Sequence, residues 1–276
     1  MSKKSSATQW LWTAVVIAAA MAAGIIIWQK MPHESTPAST TVAVPSASST
    51  AIAPSGEAPA RHPIEQVQPE PAGSSTVTLP SLDTSDTSMV DSLKGLAGDG
   101  LSGLLLTDRV ALRIVATLDA LPRQDVASGI LPLRTPTGSF LVDEANGTTT
   151  LSDRNVARYA PYMQIVEHVD TRAAVAWYVH NYPLFQAAYR ELGYPHGYFN
   201  DRLVQVLDDL IDAPEPNGPI VLEKPKALYV FSDPGLQSLS VGQKVMVRVG
   251  PDNEAKLKAK LRDIRAALTG AHLPPK

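Results

Sequence analysis

The chain has 276 residues, no cysteine and a formal charge of −3 at pH 7. With no thiol there is no disulfide, no thiolate metal site and no cysteine nucleophile. The charge divides into +3 over residues 1–30, −6 over 31–106 and 0 over 107–276, so the part able to fold lacks the basic excess that nucleic-acid binding requires, and that partner class is excluded.

Residues 1–9 form a short N-terminus carrying Lys3 and Lys4. Trp10 to Trp28 reads WLWTAVVIAAAMAAGIIIW, with no charge and only Thr13 as a polar side chain. As a helix these residues span about 28 Å, close to the thickness of a bilayer's hydrocarbon. The tryptophans sit at both ends, where indole favours the interface, and Lys3 and Lys4 ahead of the segment orient the N-terminus toward the cytoplasm, a bias that Lys30 weakens without reversing. The competing reading is a cleaved signal peptide with Ala20-Met21-Ala22 at the cleavage site. The apolar run continues through Ile25-Ile26-Ile27 beyond that site, which favours an uncleaved anchor. Both readings export the rest of the chain.

Residues 29–106 read as a tether rich in Pro, Ser, Thr and Ala. Nine prolines fall between positions 32 and 80. Large apolar residues are too sparse there to offset the entropy of ordering, so the expectation is disorder, stiffened toward polyproline II geometry. Ser92 to Leu106, leucines broken by glycines, reads as a lead-in helix or docking strip.

A compact domain is expected over 107–270, with a flexible tail at 271–276. Thr107 is positioned to cap a helix through Val110, Ile114, Leu118 and Leu121, stopped by Pro122. Ser139 to Val142 reads as a strand and Asn146-Gly147 as a turn. Asp153 is placed to cap a helix to about Glu167, and Asp170 another from Thr171. Pro183 predicts a break near Tyr182 and a new helix ending at Gly193. The next helix runs from Asn200 or Asp201, either being a cap, to Asp212. Pro219–Phe231 and Lys244–Val249 read as strands or extended segments. The last helix starts at Gly250-Pro251 and stops before Gly270. Its basic residues border the apolar stripe Leu257, Leu261, Ile264 and Leu268, with the Asp208/Asp212 face as one internal partner. The fold class is mainly α with minor β (α+β).

Aromatic residues concentrate between Tyr159 and Phe199. Tyrosines with basic and polar neighbours either fill a core with their hydroxyls at its margin, or line a ligand groove. The groove reading nominates Arg158, Tyr159, Tyr182, Tyr189, Tyr194, His196, Tyr198, Asn200, Asp201 and Arg202. The stretch Gly193-Tyr194-Pro195-His196-Gly197-Tyr198-Phe199-Asn200-Asp201-Arg202 gathers His196, Asn200, Asp201 and Arg202, with two tyrosines, around a tight turn. Asp201, Asp208 and Asp212 share one helix face, which is better read as a solvated surface than as a cation site. No G-x-S-x-G, H-E-x-x-H, P-loop or dinucleotide fingerprint occurs, and the six histidines lack ligand spacing. No catalytic residue, metal or cofactor is therefore nominated.

Several segments resemble a family of Gram-negative bacteria known as domain of unknown function 3014. They are Asn155-Val156-Ala157-Arg158-Tyr159, Tyr182-Pro183-Leu184-Phe185-Gln186, Gly193-Tyr194-Pro195, Tyr198-Phe199-Asn200-Asp201-Arg202-Leu203, Ala213-Pro214-Glu215-Pro216, Phe231-Ser232-Asp233-Pro234 and Gly242-Gln243-Lys244. Ser232 stands where the family form has Ala. The resemblance implies the same layout of anchor, proline-rich tether and domain, and carries no activity. The expectation is a binding or scaffolding module held in the inner membrane through Trp10–Trp28, its domain in the periplasm and its partner an envelope protein or peptidoglycan. The alternative is a tethered hydrolase in which His196, Asn200, Asp201 and Arg202 converge on an open cleft.

Overall fold

The structure, a computed structural model, describes residues 59–67 and 78–270. The expected membrane segment, most of the tether N-terminal to residue 78 and the tail lie outside the described residues. Among the described residues no helix is long and apolar enough to cross a membrane. Eight α-helices and two small hairpins are described, with short 3-10 helices between them: α1 (Asp86–Ala97), α2 (Val110–Ala120), β1 (Val142–Ala145), β2 (Thr148–Leu151), α3 (Ala160–His168), α4 (Thr171–Glu191), α5 (Phe199–Ile211), β3 (Leu222–Glu223), β4 (Val230–Phe231), α6 (Pro234–Gln237), α7 (Val241–Arg248) and α8 (Pro251–Leu268). The domain is mainly α with minor β, as the apolar periodicity implies.

The core is built by α2, α4, α5 and α8. α5 packs on α8, α2 on α4, and α4 and α2 close the bundle against α8 and α5 respectively. Ile114, Leu118, Phe185, Phe199, Val206, Leu210, Leu261 and Ile264 are buried between them. The stripe expected on the last helix, Leu257, Leu261, Ile264 and Leu268, is buried along its whole length.

α1 joins this core. Met89, Val90, Leu93 and Leu96 are buried in it, and the Trp177 indole N–H donates to Ser92 Oγ at 2.9 Å. The packed unit therefore begins well upstream of Thr107. The Ser/Thr/Asp composition around Asp86 hides an apolar stripe at helical spacing.

Several expected starts and stops differ, each for a local reason. α2 is not capped by Thr107. Both oxygens of Asp86, at the start of α1, accept the Arg109 and Val110 N–H groups at 2.7 and 2.8 Å. Asp170 caps α4 as expected, accepting from Arg172 and Ala173. α4 then runs through Pro183 without the expected break. The Asn181 amide donates to the Trp177 carbonyl one turn back at 2.9 Å. Burial of Trp177, Tyr178, Leu184 and Phe185 on either side of the proline offsets its cost of about 3 kcal/mol. Asp153 starts a 3-10 helix to Tyr159, and the α-helix follows from Ala160. The segment read as extended at Lys244–Val249 is helix α7, held by a capping box between Ser240 and Gln243. Its alternating valines mimic a strand pattern while Val245, Val247 and Val249 are all buried.

β1 and β2 pair antiparallel, Val142 opposite Leu151 and Ala145 opposite Thr148. Asn146 and Gly147 both have positive φ, 51° and 75°, the conformation a two-residue hairpin turn needs. The strand starts at Val142 rather than Ser139, because the Asn155 side chain takes both backbone groups of Leu141. β3 and β4 pair Leu222 with Phe231, and a bridge between Thr150 and Val221 joins the hairpins. They cover Val247 of α7 with a small apolar cluster.

Candidate functional site

Of the ten nominated residues, eight fall on the corner where α4 turns into α5. The turn is a Schellman motif: Gly193 takes φ 110°, its N–H donates to the Arg190 carbonyl and that of Tyr194 to Tyr189. The apolar contact that accompanies such a motif is aromatic here, since the Tyr189 and Tyr194 rings stack at 4.5 Å and 18°. Gly197 is required beneath them, because a Cβ there would lie 2.9 Å from Tyr189 Cε1.

The start of α5 is not capped by Asn200 or Asp201. Gln186, on α4, accepts the Phe199 N–H at 2.9 Å and the Tyr182 hydroxyl at 2.8 Å on the same Oε1, while its amide donates to the Gly197 carbonyl at 2.7 Å. With the cap supplied across the turn, Asn200 and Asp201 lie inside the first turn and their side chains point elsewhere. Burial pushes the Tyr182 phenol up to about 12, so it stays a neutral donor.

Behind the turn lies a charged knot centred on Asp119, at the C-terminal end of α2. Its side chain is 2 % exposed. Arg202 Nε donates to Asp119 Oδ1 at 2.8 Å and its Nη2 to the Asp119 carbonyl at 2.8 Å. Arg123 donates to Oδ2, and the Tyr194 hydroxyl donates to the same oxygen at 3.2 Å. This knot clamps α2, the turn and α5 together, and it leaves no oxygen of Asp119 free to act as a base.

On the other side of the corner the domain holds part of its own tether. Asp201 accepts the Arg61 N–H on Oδ2 at 2.9 Å and the His62 N–H on Oδ1 at 2.7 Å. The Asn200 amide donates to the His62 carbonyl at 2.8 Å and, more distantly, to the Leu268 carbonyl at the end of α8 at 3.5 Å. Asn200 is fully buried, and its Oδ1 accepts the Tyr178 hydroxyl at 3.2 Å. Pro63 then leads into a single 3-10 turn, Ile64–Gln66, from which Ile64 packs on the core and Val67 is buried in it.

Arg158 and Tyr159 serve a different region. The Arg158 guanidinium donates to the Thr137 and Gly138 carbonyls at 3.2 Å each, and to Asn155 Oδ1 at 3.3 Å, tying down the loop before β1. Tyr159 is buried in the core, which raises its phenol above the ordinary value. His196 is exposed in the turn, and Tyr182, Tyr194 and Tyr198 are half-buried. Tyr162, Trp177, Tyr178, Phe185, Tyr189 and Phe199 are buried, so most of the aromatic concentration is core. An interior void beside them is ≈ 20 Å³ and lined by apolar side chains such as Leu118, Phe185 and Leu261. Ligand pockets run to about 300 Å³ or more.

Asn200, Asp201 and Arg202 thus diverge to separate partners. The residues that sequence reasoning missed are Asp119, Gln186 and the Arg61–Val67 strap. Asp119 did carry a signal: an acid directly after the apolar run Ile114-Val115-Ala116-Thr117-Leu118 of a helix. A second hollow, ≈ 210 Å³, lies at the surface between Leu82, Asp86, Arg109, Leu112 and Glu191. Its Asp86 is engaged in capping α2. Among the described residues no three acidic or histidine side chains gather as a metal site.

A family model described as a protein of unknown function (DUF3014) matches residues 110–265. Comparison with curated proteins and with solved structures returns no match.

Proposed function

The chain belongs to the DUF3014 family of proteins of unknown function, and from its geometry we propose a binding or scaffolding module of the bacterial cell envelope. In this reading Trp10–Trp28 anchors the chain in the inner membrane, the domain lies in the periplasm, and the partner is an envelope protein or peptidoglycan. The carrying observation is that Asp201, with Asn200 beside it, grips main-chain groups of Arg61 and His62. The most distinctive polar residues of the domain are a receptor for the main chain of a bent segment. Half-buried Tyr198, directly before α5, and half-buried Tyr182, bonded to Gln186 at the same turn, supply the amphipathic surface that recognition sites favour. The hydrolase alternative draws no such support, because Asp201 and Arg202 are each engaged by structural partners.

Two measurements test this function. In spheroplasts, external protease should digest the domain while alkaline extraction leaves the chain in the membrane; release by extraction would overturn the anchor. A photo-crosslinking residue at Tyr198 should trap one discrete envelope component in cells, and the same residue at Lys226, on the hairpin side, should not. Equal labelling from both positions, or none from Tyr198, would overturn the binding module.

A further inference from the structure

The Arg61–Val67 strap is a ligand already seated, and it shows what its site reads. Asp201 takes two consecutive backbone N–H groups, and Asn200 donates to the second residue's carbonyl. These groups belong to any peptide. Selectivity comes from the residues C-terminal to them: Pro63 sets the entry to the 3-10 turn, and Ile64 and Val67 enter the apolar edge of the core. Arg61 is exposed, so the identity of its side chain contributes little.

The site is built independently of its occupant. Asn200 is held from behind by Tyr178, and its turn of helix is capped by Gln186. If the strap left, a pre-aimed carboxylate and a pre-aimed amide would lose their partners, a state that favours replacement by an equivalent peptide. The strap itself is held lightly: Val67 is its only fully buried residue among 59–67. Segments with few buried contacts open at a small fraction of the global unfolding free energy.

We propose that the start of α5 is a main-chain clamp for peptides that bend so as to present two consecutive free N–H groups to one carboxylate ahead of Pro and an aliphatic residue, and that the chain's own Arg61–Val67 segment occupies it in cis until a partner peptide of that pattern displaces it. The inference rests on the binding-module reading and names the ligand class and regulation of that site. Because the strap is joined to the domain, its effective concentration is on the order of millimolar, so an incoming peptide meets a mostly filled site.

The test is a titration of a fluorescent peptide, residues 59–67 (PARHPIEQV), into the full chain in detergent. His62→Pro removes one of the two donors from the strap without touching the core. The peptide should bind the H62P chain at least tenfold more tightly than the native chain, and hydrogen exchange at Ile64–Val67 should be faster in H62P. Asp201→Asn in the H62P background should weaken peptide binding at least tenfold. The same peptide N-methylated at Arg61 and His62 should also fail, which tests the clamp on an unaltered protein. Equal affinity for the native and H62P chains, or undiminished binding of the N-methylated peptide, would overturn the proposal. Crosslinking at Tyr198 that persists unchanged in D201N would leave the binding module standing and remove only the clamp.

Discussion

Asp119 accepts from two guanidinium groups and a phenol while almost wholly buried. Removing it strands Arg202, whose own side chain is 22 % exposed, in a site built for a salt bridge. Breaking such a pair from one side costs several kcal/mol, less where the stranded charge keeps some water, so Asp119→Ala should lose about 2–3 kcal/mol in urea unfolding. Asp119→Asn, which retains one acceptor, should lose less; equal losses would show that the carboxylate charge alone, and not the remaining acceptor, is what the knot supplies. A second buried pair carries a pH signature. Lys258 Nζ lies 3.0 Å from Glu254 and 2.7 Å from Glu215, and donates to the Ala213 carbonyl. Burial pushes the Glu254 carboxyl up against the pull of Lys258. Burial alone would lower the Lys258 ammonium, but Glu215 and Glu254 raise it. A carboxyl raised in the folded state stabilises fully below its unfolded pKa, and that contribution is lost as pH rises through the folded value. Lys258→Met removes the opposing charge and deepens this effect. Stability of K258M should therefore fall more steeply than that of the native chain as pH rises above the ordinary carboxylate range. Adding Glu254→Gln should flatten the slope; a slope that survives in the double variant would assign it to another group.

At the scale of elements, the helices depend on one another for their ends. α2 borrows its cap from Asp86 of α1, and α5 borrows its own from Gln186 of α4. Asp86→Ala should cost about 1–2 kcal/mol, as losing a helix cap does, and should raise hydrogen exchange first at Arg109–Val110. α7 approaches α2 and α5 through Gly242, where a Cβ would stand 2.5 Å from Leu210 Cδ2 and 3.4 Å from Leu121 Cβ. Gly242→Ala should destabilise by about 1–3 kcal/mol through overpacking, against the gain alanine normally brings to a helix. A rise in Tm instead would show that Leu210 can step aside. The elements legible in the sequence were those whose signals lie within a few residues: the Asp170 cap, the Asn146-Gly147 turn, and the Gly250-Pro251 start of α8. Those misread depend on longer reach. Thr107 looks like a cap until Asp86 supplies one from another helix. Pro183 looks like a break until the packing of Trp177 and Phe185 outweighs it. Ser240 and Gln243 form a capping box three residues apart, a local signal hidden by the alternating valines beyond it.

For the whole molecule, α1 makes the domain larger than its composition suggests. A fragment beginning at Thr107 lacks Met89, Val90, Leu93 and Leu96 and uncovers the α2 surface they bury. It should lose cooperative unfolding by circular dichroism, while a fragment beginning at Thr78 should keep it. If both unfold alike, α1 is an accessory. The strap implies a further step, a modest gain in stability when residues 59–67 are included. Length, charge and apolar periodicity determined by themselves that the chain carries a mainly helical, near-neutral domain, because these properties are sums over many residues and survive any arrangement of them. The same periodicity marked the buried stripe of α8 correctly. The nominated site could not be resolved that way. Whether ten aromatic and polar residues line a groove or fill a core depends on which faces meet, and that is settled by packing between helices far apart in sequence. Only the tertiary structure brought Asp119 to Arg202 and Asp201 to the backbone of Arg61, since hydrogen bonds across 83 and 140 residues leave no local pattern to read.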